Sequence, residues 1–84
     1  MKWIKCADRL PPNPKDYTEL KDYLTVVVQN INGTDYVNYY VLTWADGWNC
    51  TVSVEDGKFN KEHEITQVEA WAEIPPYRRK NEAV

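Results

Sequence analysis

The sequence predicts a mainly β domain of four or five antiparallel strands, arranged as a strongly curved meander sheet or a small open barrel. Three turn dipeptides divide the chain, and such dipeptides are strong hairpin signals. The segments between them alternate with a period of two and are rich in β-branched and aromatic residues. Short turns join strands that are neighbours in sequence, which favours a meander. The dipeptides are Asn32-Gly33, Asp46-Gly47 and Asp56-Gly57.

The N-terminal segment contains three prolines in four residues, from Pro11 to Pro14. Proline fixes φ and restricts the residue before it, so we expect an extended connector packed across the sheet, followed by a single helical turn within residues 18–23. A proline-rich stretch can also bind a partner's aromatic groove. Both interpretations fit the same residues.

The first two long strands are predicted at residues 24–31 and 36–44. The first contains Val26, Val27 and Val28 in succession. In the second, odd and even positions are both largely apolar, so both faces of the strand carry apolar side chains. This pattern indicates a central strand or a sheet curved enough to close on itself.

A half-buried strand is predicted at residues 48–55, and the polar residues 58–64 are predicted to form a mobile surface loop. Alternation returns in residues 65–74, where the small Ala70 and Ala72 would let another element approach closely. Pro75 and Pro76 end this last strand.

Two short segments that contain tryptophan and proline, one near each end of the chain, predict a structural clasp, meaning a contact that holds the two ends together. A tryptophan buries a large apolar area and a neighbouring proline fixes the backbone, so we expect Trp3 and Trp71 to be largely buried and close together. The clasp residues are Trp3, Leu10, Pro11, Trp71 and Pro75.

Length and charge limit the classes of function. An 84-residue chain forms one domain, which we assign to residues 1–77, with residues 78–84 as a disordered tail. The net charge of -3 argues against direct nucleic-acid binding. Apolar runs are too short to span a membrane and no secretory leader is evident, so a cytoplasmic location is expected.

These two terminal segments and the predicted strands between them resemble a family of small phage and prophage proteins known as domain of unknown function 551. The resemblance rests on Trp3-Ile4, Arg9-Leu10-Pro11 and Gly47-Trp48, with the Val-rich and Tyr-rich strands and residues 68–76. It implies a fold and a phage-like origin in a host cell, and it implies no reaction. Where the family often has His before the closing Trp, this chain has Ala70.

No group of residues predicts catalysis, a metal site or a cofactor. Cys6 and Cys50 lack the short paired spacing of zinc ligands, and the single histidine, His63, stands in a charged run. Each glycine belongs to a turn dipeptide, so none is free for a phosphate-binding loop. We therefore expect a protein that is not an enzyme.

The aromatic surplus is the strongest functional signal. Four Trp and six Tyr exceed what so small an interior can hide, and both types are enriched at binding hot spots. We expect an accessory protein that binds a host protein, with inhibition of a host defence system as one specific form. The alternatives are a small-ligand or nucleotide-sequestering protein, with Trp44 and Trp48 enclosing the ring, and a structural domain without a ligand. The expected contact residues are Tyr39, Trp44, Trp48, Glu55, Asp56, Glu62 and Glu64.

Overall fold

The computed structural model describes residues 2–77, and they form one antiparallel sheet of six strands in the order β1-β6-β2-β3-β4-β5. This confirms the predicted mainly β fold, with one or two strands more than expected. The sheet is not closed into a barrel. A single turn of 3-10 helix, Tyr17–Glu19, precedes β2. The strands are β1 (Ile4–Lys5), β2 (Lys21–Ile31), β3 (Thr34–Trp44), β4 (Trp48–Glu55), β5 (Lys58–Ile65) and β6 (Val68–Glu73).

Two tight hairpins form at the predicted dipeptides. Asn32 and Gly33 have φ values of 51° and 83°, and the flanking residues Ile31 and Thr34 face each other in the β2–β3 pair. Two central residues with positive φ match the right-handed twist of the flanking strands. Asp56 and Gly57 make the same kind of turn between β4 and β5.

The connection from β5 to β6 forces the sheet to curl. Only Thr66 and Gln67 separate these strands, so Ile65 and Val68 lie within about 11 Å of each other. In a flat sheet of this order, four strand spacings would put β5 and β6 about 19 Å apart. The two-residue connection therefore requires β4 and β5 to fold back over one face of β2 and β6.

The face covered in this way, here called the inner face, contains the core. Trp48 of β4 reaches Trp71 of β6, with ring centroids 6.3 Å apart, although two strands lie between theirs. Thr25 is buried at the centre, and its hydroxyl donates a hydrogen bond of 2.8 Å to the Tyr40 carbonyl. The buried side chains of the core cluster are Tyr23, Val27, Leu42, Trp44, Trp48 and Trp71.

The N-terminal segment is held on the sheet at two points. The Trp71 indole donates a hydrogen bond of 2.8 Å to the Arg9 carbonyl, and the Arg9 guanidinium lies 5.7 Å from the Trp71 ring centroid. The Asp46 amide donates to the Asn13 side chain at 3.1 Å. Pro11 is buried between these anchors. Of the predicted clasp, the burial of Trp71 and Pro11 is confirmed.

Two other predictions are wrong. Trp3 is 39% exposed, because Ile4 is the residue paired with Trp71 and side chains alternate along β1, which puts Trp3 on the opposite face of the sheet. Leu10 and Pro75 are exposed as well. Residues 58–64, expected to be a mobile loop, belong to β5, because the two-residue turn after Glu55 directs them back along β4. The predicted tail at residues 78–84 lies outside the described residues.

Candidate interaction surface

The face of the sheet opposite the core, here called the outer face, exposes a group of neighbouring apolar side chains. Tyr39 is the most exposed of them, at 69%. Strand pairing puts the members on one surface, because residues directly opposite each other in an antiparallel pair point to the same face. The outer face consists of Trp3 beside β1, Leu24, Val26 and Val28 on β2, and Val37, Tyr39 and Val41 on β3.

Trp3 and Tyr39 make contact across this face. Their ring centroids are 6.2 Å apart, although β1 and β3 are separated by β6 and β2. The two side chains must therefore extend toward each other over the strands between them. Ala70 and Ala72 of β6 carry only methyl groups there, which leaves room for the indole, as expected from their size.

Polar groups border the outer face at both ends of β2 and β3. At one end the Thr43 hydroxyl donates to the Asp22 carboxylate at 2.6 Å. At the other end the side-chain amide of Asn30 donates a hydrogen bond to the Asp35 carboxylate at 2.7 Å. An apolar centre with a polar border is the usual composition of a protein–protein interface.

The outer surface becomes acidic where the sheet continues into β4 and β5. Thr43 faces Asn49, so this side of β4 and β5 is continuous with the outer face. Glu62 and Glu64 are exposed there, opposite Thr51 and Asn49. Glu55 ends β4 opposite Lys58, and Asp56 lies in the turn between them. These four carboxylates are here called the acidic strip. Glu64 lies nearest the apolar part, because Asn49 pairs with both Thr43 and Glu64, and the other three follow β4 and β5 around the bend of the sheet.

The structure therefore separates the predicted contact residues. Tyr39 and the four carboxylates are exposed, whereas Trp44 and Trp48 are only 7% and 5% exposed. Their rings lie 4.9 Å apart at 63° to each other, so they pack together and leave no gap for the ring of a ligand. Their expected role in contacting a partner or ligand is wrong, because the curl of the sheet places both in the core.

A groove of about 670 Å³ runs between the N-terminal segment and the ends of β2 and β6. Arg9, Lys15 and Lys21 are among its lining residues, together with Tyr23 and Trp71. These two rings pack edge to face, with centroids 5.1 Å apart, and both are buried. The groove thus offers cations, but it offers no free aromatic face for stacking.

Two titratable groups of the inner face, Cys6 and Tyr23, have raised pKa values. Burial raises the pKa of the Cys6 thiol, and the nearby Trp48 indole offsets this only in part. The Trp48 N–H still lies outside ordinary hydrogen-bond geometry, and neither it nor the Trp44 N–H has a partner among residues 2–77. Burial also raises the pKa of the Tyr23 hydroxyl. A thiol with a raised pKa is a poor nucleophile at neutral pH.

Sequence reasoning missed Val37, Val41 and Trp3 as surface residues. The signal was present, because both faces of residues 36–44 are apolar. This pattern predicts a central or self-closing strand, which would bury both faces. The sheet instead buries only Leu42 and Trp44 of this strand, and it leaves the outer face and also Tyr36 and Tyr40 of the inner face exposed.

Comparison of the chain with protein-family models, with curated proteins and with solved structures finds no match. The resemblance to the domain of unknown function 551 stays a prediction. Within residues 2–77, no helix has the length and apolar character needed to cross a membrane.

Proposed function

We propose that this chain is a small, non-enzymatic protein-binding module whose outer face and acidic strip contact one partner protein. The observation that supports this most strongly is the exposure of Trp3, Val37, Tyr39 and Val41 side by side on one surface. Exposed apolar groups scattered singly are normal on proteins, whereas a contiguous patch with a polar border marks interaction sites.

The apolar groups of the outer face are not required to build the core. The other face of the same strands already supplies the buried cluster around Trp48 and Trp71. Leaving Tyr39 and Val41 in water lowers solubility without stabilising the fold, so binding is the role that accounts for them.

The arrangement of charge indicates the chemistry of the partner. The outer surface is apolar over β2 and β3 and becomes acidic at the bend into β4 and β5, so it complements a partner with an apolar patch that has Lys and Arg on one side. Such a partner would associate faster at low salt, because opposite charges steer the encounter. A host protein with a basic groove, including a component of a defence system, has this chemistry.

A second candidate function is the binding of a small anion in the groove beneath the N-terminal segment, for which Arg9, Lys15 and Lys21 provide the support. Lys21 is already paired with Glu73 at 2.6 Å, which leaves fewer free cations for a ligand. This makes the groove the weaker candidate.

The test begins with affinity purification of partners from a bacterial lysate, followed by titration of the purified partner with variants. We expect Tyr39→Ser to weaken binding at least tenfold, since it removes the most exposed ring of the patch. We expect Glu62→Lys to weaken binding less and to reduce its dependence on salt.

Matched control variants show whether the loss of affinity is specific to the outer face and the acidic strip. Tyr17→Ser removes a tyrosine that is equally exposed but lies in the helical turn before β2, and Asp8→Lys changes the charge as Glu62→Lys does. Both should leave affinity within about twofold. Equal losses in the Tyr17 and Tyr39 variants would contradict the proposed surface. A nucleotide-dependent rise in melting temperature, with no protein partner recovered, would favour the groove instead.

A further inference from the structure

One edge of β3 has no neighbouring strand over most of its length. β2 pairs with β3 along all eleven residues from Thr34 to Trp44, but β4 pairs only with Thr43 and Trp44. Beyond that point β4 turns away to cover the inner face. Among the strands of residues 2–77, none pairs with this side of residues 34–42, here called the open edge.

The hairpin geometry shows which backbone groups the open edge presents. In an antiparallel pair the facing residues alternate between those that exchange hydrogen bonds and those that do not. Ile31 and Thr34 flank a two-residue turn and exchange hydrogen bonds, so even-numbered residues of β3 direct their N–H and C=O groups to β2. The odd-numbered residues direct their N–H and C=O groups away from β2, toward the open edge. These residues are Asp35, Val37, Tyr39 and Val41.

The edge formed by β5 differs in composition. Lys58, Lys61, Glu62 and Glu64 place charges along it, which is a common protection against pairing with other chains. The open edge of β3 has one charged residue, Asp35, and its backbone groups are flanked by valine and tyrosine side chains. An unprotected edge of this kind is a template for strand addition.

We infer that a second copy of this chain occupies the open edge, with residues 34–42 of the two copies paired antiparallel about a twofold axis at Asn38. This inference concerns the backbone edge, so it goes beyond the proposed binding surface and does not depend on it. About eight hydrogen bonds would join the copies, a number typical of stable interfaces.

The register follows from the side chains that it brings together. With Asn38 opposite Asn38 of the second copy, Val37 faces the second copy's Tyr39, and Tyr36 faces its Tyr40. Aromatic pairs with aromatic or β-branched residues stabilise antiparallel sheets. The same sequence supplies both members of each pair, as a twofold interface requires.

Charge and shape fit the same register. Asp35 falls opposite Val41 of the second copy, away from the second Asp35, and its carboxylate is already bonded to Asn30 of its own chain. Thr43 pairs with Asn49 of its own chain, so pairing between the copies ends where Leu42 faces Thr34 of the second copy. The odd-numbered residues of both copies then share one surface, so the two outer faces join across the axis.

The first experiment measures mass in solution by sedimentation or light scattering. The wild-type chain should show about twice the 9.9 kDa of one copy. Val37→Pro should show the mass of one copy, because it removes an outward N–H and leaves the β2–β3 hydrogen bonds intact. The matched control Lys61→Pro makes the same change on the charged edge of β5 and should remain a dimer. A single-copy mass for the wild-type chain at millimolar concentration would overturn the inference.

The second experiment tests the position of the twofold axis by disulfide cross-linking, and it does not depend on a variant that could fail to fold. In a Cys6→Ser, Cys50→Ser background, Asn38→Cys should form an intermolecular disulfide on mild oxidation, since facing residues without mutual hydrogen bonds have Cα atoms about 4.5 Å apart. Asn60→Cys on β5 should not. Equal cross-linking at both positions would exclude edge pairing. Edge pairing would also be excluded if the Val37→Pro variant remained dimeric while Tyr39→Lys was monomeric, and that result would indicate contact between outer faces.

Discussion

The inner and outer faces of the central strands carry similar side chains but have different surroundings. On the inner face, Tyr23, Trp48 and Trp71 pack edge to face or at a tilt within a buried cluster. On the outer face, Trp3 and Tyr39 make the same kind of ring contact while both stay exposed. Aromatic content by itself therefore does not separate the core from the exposed surface in this chain.

The difference arises from the path of the chain after β3. The connection at Thr66 and Gln67 is so short that β4 and β5 can cover only one face. Ring contacts on the covered face exclude water and stabilise the fold, whereas the equivalent contact on the uncovered face leaves apolar area available to a partner. The same curl detaches β4 from β3 and leaves the edge of β3 open.

Substitution of the inner-face tryptophan should have the largest effect. We expect Trp71→Ala to lower the free energy of unfolding by about 3–5 kcal/mol, since it opens a cavity between Tyr23 and Trp48 and removes the bond to the Arg9 carbonyl. Urea unfolding followed by circular dichroism measures this. A melting temperature within a few degrees of the parent would show that the inner face is not the core.

The same substitution on the outer face sharpens the comparison. Trp3→Ala should cost only about 1–2 kcal/mol, because the indole is partly exposed and its removal leaves no enclosed cavity. Measured in the same urea experiment, this value should be clearly smaller than that for Trp71. Equal losses would mean that both faces are equally covered.

The smallest effect concerns the ion pair at the margin of the inner face. The hydrogen bond from Lys21 lowers the pKa of Glu73 from 4.5, and the bond to Glu73 raises the pKa of Lys21 from 10.5. The pair should therefore stabilise the fold between these two values. Its contribution falls as pH drops through the lowered pKa of Glu73 or rises through the raised pKa of Lys21.

Glu73→Gln tests this by removing one charge. In the wild-type chain, carboxyl NMR titration should place the Glu73 pKa below that of a free glutamate. In the Glu73→Gln variant, the free energy of unfolding should fall less at acid pH, because the contribution of the Glu73 carboxylate is absent. Glu62→Gln, which alters an exposed carboxylate on β5, serves as the control. The effect should be slight, because both partners are largely exposed. An unshifted Glu73 titration would show that the pair does not persist in solution.

Local chemistry predicted much of the fold. The dipeptides at Asn32 and Asp56 specified tight turns, since only a few residues adopt positive φ readily, and alternation specified the strands beside them. The predicted clasp was correct for Trp71 and Pro11 and wrong for Trp3. β5 was missed because a charged strand at the edge of a sheet has the composition of a loop.

The sequence by itself thus determined the turns, the apolar strands and the supply of aromatic side chains, since these depend on residues close together in the chain. Only the tertiary structure decided which aromatics are buried, because that depends on which face β4 and β5 cover. The candidate surface followed from the same decision. Tyr39 and Trp44 look equivalent in a strand with two apolar faces. Trp44 is buried because it lies on the inner face at the end of β3 that β4 covers, whereas Tyr39 lies on the uncovered face.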